Sequence, residues 1–207
     1  PIVERQPNEA ERRAGLRIGR PGAADGGPAS RTAWSVSAED YGRFLISVFD
    51  EWRKRDVGQV GLQIVESSLS ARLGAGATVC QFAQECGRSL VVETNGDVYA
   101  CDHYVWPEYR RGNLLETPLS DIVDSPEQVR FGRDKAERLP WMCRTCEVLA
   151  LCGGDCPKHR WVAAPDEPGR PRSVLCEAYR RFFNHAWPWI EQMAAEIGAA
   201  RQSRERL

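Results

Sequence analysis

No run of apolar residues in this 207-residue chain approaches the eighteen or more that a membrane helix needs. No signal peptide opens it either. These absences point to a cytoplasmic, reducing compartment and to no membrane partner. A surplus of one charge sign is also missing: 28 basic residues face 29 acidic ones, for a net charge of −1. That balance argues against nucleic acid or a membrane surface as the main partner. The chain lacks an initiating methionine and opens PIVER. Removal of a methionine before proline explains this, as does truncation of a longer protein, and truncation is the expectation here. Cysteine is absent before Cys80 and after Cys176.

All eight cysteines thus fall in one stretch, in three groups: Cys80, Cys86 and Cys101; then Cys143, Cys146, Cys152 and Cys156; then Cys176 alone. The middle group reads C-x2-C-x5-C-x3-C-P, and four thiols that close in sequence are there to hold something. Thiolates are soft ligands that suit zinc, copper(I) and iron–sulfur clusters. Eight thiols make two sets of four, and four is the complement of a cubane cluster or a structural zinc. The C-x2-C…C-x3-C-P run shares ferredoxin spacing, in which the last cysteine serves a different cluster. Disulfides are the alternative for any even count. They suit small secreted scaffolds, whereas C-x2-C pairs in intracellular chains more often bind metal. Two iron–sulfur clusters are the leading reading and two structural zincs the next.

Taken in order, Ile2 and Val3 read as the stub of a buried strand. Residues 8–32 are rich in Gly, Pro, Ala and Arg and read as a loop or a disordered segment. Ser37 is an N-cap, with Asp40 three residues on, for a helix to about Arg55. Its apolar stripe is Tyr41, Phe44, Leu45, Val48 and Trp52, which is read as core packing. Val60–Val65 (VGLQIV) reads as a strand, so that helix and strand together resemble one unit of a parallel α/β sheet. Glu66–Leu73 is a short helix closed by Gly74 and Gly76. Thr94-Asn95-Gly96 between apolar flanks is a hairpin turn, and the second strand delivers Cys101 and Asp102. Gly112–Leu115 continues extended. Ser125-Pro126 starts a helix through about Lys135. Residues 141–160 are irregular, shaped by ligand geometry. A long helix from about Leu175 to Ala200 closes the chain, with Pro188 as a kink or break and RQSRERL as a solvated tail.

The order C-x5-C-x14-C, a long gap, C-x2-C-x5-C-x3-C and a last cysteine about twenty residues on resembles the SPASM domain. That domain is the C-terminal extension of peptide-modifying radical S-adenosylmethionine enzymes. The words ETNGDVYACDHYVWPEYRRGNL, FGRDKAERLPWMC, CGGDCPKHR and LCEAYRRFFNHAWPWI are similar to those of one branch, the anaerobic sulfatase-maturating enzymes. The resemblance runs from about Asp40 to about Ile197.

The resemblance implies two auxiliary [4Fe–4S] clusters that transfer electrons. The first would be held by Cys80, Cys86, Cys101 and Cys156, the second by Cys143, Cys146, Cys152 and Cys176. It implies an α+β fold: a SPASM domain over 80–207 with a hairpin, cluster loops and a C-terminal helix. A linker over 66–79 and the last helix and strand of a partial α/β barrel over 1–65 would precede it. It places Asp102 at the position of the general base that takes a proton from the target side chain, a task helped if desolvation raises its pKa. The plainer role for Asp102 is a turn cap beside a ligand. His103 reads as a structural hydrogen-bond partner; His159 and His185 are weaker candidates. Arg110, Arg111 and Lys158 read as solvated surface, with a peptide substrate as the lesser alternative. Gly153 and Gly154 suit close backbone approach to a cluster.

The radical-generating motif C-x3-C-x2-C is absent. By resemblance it lies in an N-terminal barrel that binds S-adenosylmethionine and a third cluster, so this piece alone is expected to be inactive. The parent would oxidise a cysteine or serine of a sulfatase polypeptide to formylglycine and exchange electrons with a carrier such as a ferredoxin or flavodoxin. Another SPASM-type peptide modifier, or a stand-alone electron-transfer or metal-binding module, are the alternatives.

Overall fold

The computed structural model describes residues 1–22 and 30–205. Its core is a helical layer. Helix α2 (Ala38–Arg55) begins at Ser37, whose hydroxyl accepts the Asp40 N–H at 3.0 Å. Helix α3 spans Gln63–Arg72, and the 30-residue helix α8 spans Cys176–Glu205. The inner stripe of α8 is Tyr179, Phe182, Phe183, Ala186 and Ile190, all fully buried, with buried Leu175 just before the helix. Each large side chain of that stripe is worth about 1.5–3 kcal/mol of burial.

The buried stripe of α2 is Gly42, Leu45, Phe49 and Trp52, which keeps Leu45 and Trp52 of the stripe read from sequence and adds Gly42 and Phe49. Phe44 is exposed, and Phe49 takes the central place. The reason lies across the interface. A Cβ on Gly42 would stand 3.2 Å from the Ala178 Cα, so the bare Gly42 backbone lets α2 approach α8 and sets its rotation. Phe49 then meets Phe182 and Trp189 edge-on at 5.9 and 5.6 Å.

VGLQIV does not form a strand. Residues 57–60 turn, and Ile64 and Val65 enter α3, where both are buried in the common core. Two adjacent apolar residues pack against a helical layer as well as against a sheet, and no neighbouring strand is there to pair with them. No parallel helix–strand unit forms among the described residues. Val3 is buried but belongs to no sheet; nearby, Arg5 makes one isolated bridge with Arg31. Within the Gly/Pro-rich stretch, Asn8 caps a short helix α1 (Glu9–Arg13) in a reciprocal capping box with Glu11. That order departs from the expectation of a loop; residues 23–29 of the same expectation lie outside the described residues.

A small antiparallel sheet joins β1 (Val91–Val92), β2 (Asp97–Tyr99) and β3 (Arg110–Asn113) in that order. The β1–β2 turn closes through Gly96 N–H to Glu93 O and Glu93 N–H to Asp97 O. Gly96 has φ +86°, the left-handed residue such a three-residue loop requires. Helix α4 (Leu119–Val123) follows, then α5 (Pro126–Glu137), capped by Ser125 as the Ser-Pro pair implied. Residues 141–160, read as irregular, hold two single-turn helices, α6 (Trp141–Arg144) and α7 (Leu149–Cys152). Strands β4 (Arg160–Val162) and β5 (Arg172–Ser173) pair before α8. Helix α8 runs through Pro188 without interruption.

Candidate metal centre

Each thiol hangs on a short, constrained piece of backbone. Cys80 and Cys86 lie on the irregular segment after α3, and Cys101 follows β2. Cys143 is in α6, with Cys146 closing its turn through an N–H to the Cys143 carbonyl at 3.1 Å. Cys152 ends α7, Cys156 precedes a 3-10 turn (Pro157–His159), and Cys176 opens α8. All eight are free thiols.

Burial is the largest cause of a raised pKa at seven of them. Cys101 and Cys156 are pushed up to about 12, and Cys143 to about 11. Charged and hydrogen-bonding neighbours such as Lys135, Asp102 and Asp155 come next at most of them, and the thiols also act on one another, in two groups. Cys80 acts on Cys86; Cys80 and Cys86 act on Cys156; Cys156 acts on Cys101. Cys143, Cys146, Cys152 and Cys176 likewise act on one another. None of the leading thiol–thiol effects crosses from one group to the other. Buried, mutually repelling thiols are costly to ionise, and metal ligation offsets that cost.

Tetrahedral zinc with Zn–S bonds of about 2.3 Å holds its sulfurs about 3.8 Å apart. Among the described residues, the one set of three or more Cys, His or carboxylate ligand atoms mutually within 4.8 Å is Cys101, Asp102 and His103. No three thiols are that close. As they stand, the thiols form no ready-made three-ligand site for one small ion.

A buried polar scaffold holds these loops. Helix α5 turns Gln128, Gly132 and Lys135 to one face, at i, i+4 and i+7. Gln128 Nε2 donates to the carbonyls of Gly87 and Ala100, at 2.8 and 3.0 Å. Gly132 accepts the Cys86 N–H at 3.2 Å, and a Cβ there would collide with the Cys86 carbonyl. Lys135 Nζ donates to the carbonyls of Cys80 and Gln81, both at 2.9 Å, and to that of Ala83. One helix face thus holds the neighbourhoods of Cys80, Cys86 and Cys101.

Asp155, fully buried, accepts from Gln81 Nε2 at 2.8 Å and from Ser173 Oγ at 2.6 Å, and pairs with His159 Nδ1 at 3.0 Å. Gln81 also reaches the Tyr179 hydroxyl. None of these polar residues except His159, Gly153 and Gly154 was singled out from sequence. The available signal was a helical stripe of Gln, Gly and Lys where apolar residues belong, and an Asp inside C-G-G-D-C.

Asp102 lies in a 3-10 turn directly after Cys101, with its side chain 69% exposed. Its pKa is lowered, first because the Cys101 thiol donates to Oδ1 at 3.0 Å; burial pushes the other way and loses. The expected elevation by desolvation is therefore absent, because the carboxylate faces an open cavity. A Cys101 thiolate bound to metal no longer donates, which removes that lowering. The cavity holds ≈ 290 Å³ and is lined by Asp102, His103, Trp106, Arg20, Glu4 and Lys158, among others. His103 Nδ1 stands 3.7 Å from the Cys156 sulfur. Lys158 pairs with Glu4 at 2.7 Å, Arg110 with Asp97, and Arg111 with Gln128. His185 bonds Asp50, remote from the thiols.

Comparison with known proteins agrees with this centre. Residues 80–147 match the SPASM family, an iron–sulfur cluster-binding domain. The chain is 41% identical over 201 residues to the serine-type anaerobic sulfatase-maturating enzyme of Bacteroides thetaiotaomicron, covering 95% of this chain and 46% of that protein. It is 25% identical over 166 residues to the cysteine-type enzyme of Clostridium perfringens, covering 79% and 44%. The solved structure of native anSMEcpe with bound AdoMet and Kp18Cys peptide superposes with a TM-score of 0.69 at 26% identity, over 80% of this chain and 45% of that one. Residues 80–147 are thus similar to the iron–sulfur domains of the SPASM class. Over nearly its full length the chain is homologous to the C-terminal part of anaerobic sulfatase-maturating enzymes, and it spans less than half the length of those relatives. No described helix is long and apolar enough to cross a membrane.

Proposed function

We propose that this chain is the cluster-bearing C-terminal part of a radical S-adenosylmethionine maturase that converts a sulfatase cysteine or serine to formylglycine. Cys80, Cys86, Cys101 and Cys156 would hold one auxiliary [4Fe–4S] cluster, and Cys143, Cys146, Cys152 and Cys176 the other. The observation that supports this reading is that residues 80–147, which hold six of the eight thiols, match an iron–sulfur cluster-binding domain, and the mutual influence among the thiols follows the same two groups. Bound clusters of this kind supply a path for single electrons. With four thiolates each, they leave no position for substrate. The S-adenosylmethionine site, a third cluster and the electron carrier would belong to the rest of the parent and to its partners.

The chain's own contribution to the chemistry is Asp102. Exposed and open to the cavity, its carboxylate is placed to accept a proton from the target thiol or hydroxyl. Arg20 and Trp106, stacked at 4.8 Å, form part of the wall against which a peptide would lie.

Anaerobic reconstitution of this chain should yield about eight irons with matching sulfide, four per cubane. Stoichiometric zinc without acid-labile sulfide overturns the reading. Cys143→Ala should empty the second site first, and Cys101→Ala the first. In the full-length parent, Asp102→Asn should leave cluster content and adenosyl cleavage intact. Aldehyde yield on a sulfatase peptide, read by mass change, should fall roughly 100-fold or more. Near-normal aldehyde in that variant would reduce Asp102 to a structural neighbour of Cys101.

A further inference from the structure

Between the two thiol groups runs one short stretch, Cys152-Gly153-Gly154-Asp155-Cys156, with a cysteine of each group at its ends. Its three central residues are all left-handed, at φ +56°, +73° and +62°. Asp155 is the one described non-glycine residue with positive φ. Three such residues in a row point their carbonyls inward, and left alone they would be buried acceptors without donors.

Arg160 supplies the donors. Its guanidinium is buried; Nε donates to the Gly154 carbonyl at 2.9 Å, and Nη2 to those of Asp155 and Gly153 at 2.9 and 3.4 Å. Nη1 donates to the Lys135 carbonyl at 2.6 Å, which ties the turn to the α5 face beneath the first thiol group. The planar fork of arginine reaches several acceptors at once, which a lysine ammonium does not match. The Arg160 guanidinium thus lies on the turn that joins Cys152 of one group to Cys156 of the other, which sets its charge beside both. Lys135 differs: its carbonyl partners lie around Cys80, and the thiols that act on it, Cys86 and Cys156, are both in the first group.

We propose that Arg160 is a positioning residue shared by both cluster sites: by gripping the Gly153–Asp155 turn it fixes Cys152 and Cys156 relative to each other, and its buried charge serves both clusters. This rests on the two-cluster reading above. Losing the grip should disturb both ligand sets together, because their joining turn is one object. Losing the charge should make both clusters harder to reduce.

The test uses this chain, reconstituted anaerobically with iron and sulfide. Each cluster is identified by its loss in Cys101→Ala or Cys143→Ala, and both midpoint potentials are followed by spectroscopic redox titration. In Arg160→Gln, iron affinity at both sites should fall roughly 10–100-fold, the range for removing a partner behind a ligand. Both potentials should also shift downward. Arg160→Lys keeps the charge, so its potentials should stay near wild type while affinity at both sites still falls. Lys135→Met should lower the potential of the first cluster alone. Simultaneous loss of both clusters in either Arg160 variant also supports the proposal. A change confined to one cluster, with the other unaltered in occupancy and potential, overturns it while leaving the two-cluster reading intact. Wild-type protein that binds a single cluster or zinc overturns the two-cluster reading itself.

Discussion

In the helical layer the fully buried side chains include Phe49, Phe182, Phe183 and Ile190; around the thiols the buried side chains include Lys135, Gln128, Asp155 and Arg160. The first group touches through apolar surface, in edge-on ring pairs 5–6 Å apart. The second group touches through hydrogen bonds: Gln128, Lys135 and Arg160 donate to backbone carbonyls, and Asp155 accepts from the Gln81 and Ser173 side chains. The elements differ accordingly. α2 and α8 are 18 and 30 residues long, whereas α6 and α7 are single turns of four. An apolar face needs length to bury enough area, and a ligand loop needs only to bring a thiol to a point. The contrast teaches that two stabilities coexist in one chain: one intrinsic to the polypeptide, one dependent on what the thiols bind.

Removing the bound iron should break the comparison most visibly. Chelation should strip hydrogen-exchange protection from residues 80–90 and 141–158, while α2 and α8 keep theirs. Uniform loss of protection across both halves would show that the helical layer also depends on the clusters. Next in size is Phe49→Ala, expected to cost about 3–5 kcal/mol in denaturant unfolding, the range for a buried phenylalanine. It should leave the ratio of iron to protein in the folded fraction unchanged.

Gln128→Ala probes the other half. It leaves the Gly87 and Ala100 carbonyls without donors, at a cost of about 1–3 kcal/mol, and should lower iron uptake at the first site before the second. Equal losses at both sites would mean that the α5 face supports the whole region rather than one thiol group.

The smallest effect is an alkaline one. The metal-free thiols of Cys101 and Cys156 ionise near 12 instead of at the ordinary 9.0, because burial disfavours their thiolates. A folded-state pKa raised in this way contributes stability that is present below about pH 9 and lost as the pH rises towards 12. Metal-free protein should therefore unfold more easily through that window in urea titrations. Cluster-loaded protein, whose thiols are already thiolates, should lack this transition.

Much of the architecture was legible in sequence because it rests on local rules. Ser37 and Ser125 cap helices because a hydroxyl satisfies exposed N–H groups wherever the fold goes. Asn95-Gly96 turns the hairpin because glycine alone adopts φ +86° without strain. The eight thiols announced metal by type and number. Legibility failed where the deciding partner is distant in sequence. VGLQIV has the composition of a strand, yet Ile64 and Val65 are helical because the surface they meet belongs to the helical layer. Phe44 and Phe49 are equally apolar, and the approach of Ala178 to Gly42 decides which is buried.

The amino-acid sequence by itself determined the cysteine spacing, the helix starts, the hairpin and the family likeness, all properties of residue type at short range. Which thiols neighbour which depends on the tertiary structure, because it needs segments as far apart as Cys80 and Cys156, or Cys146 and Cys176, to meet. The tertiary structure also decided that Gln128, Lys135, Asp155 and Arg160 lie inside. A charged or amide side chain is buried only where enough partners converge on it, and the carbonyls of Cys80, Gly87, Ala100 and Gly154 converge only once the chain has folded.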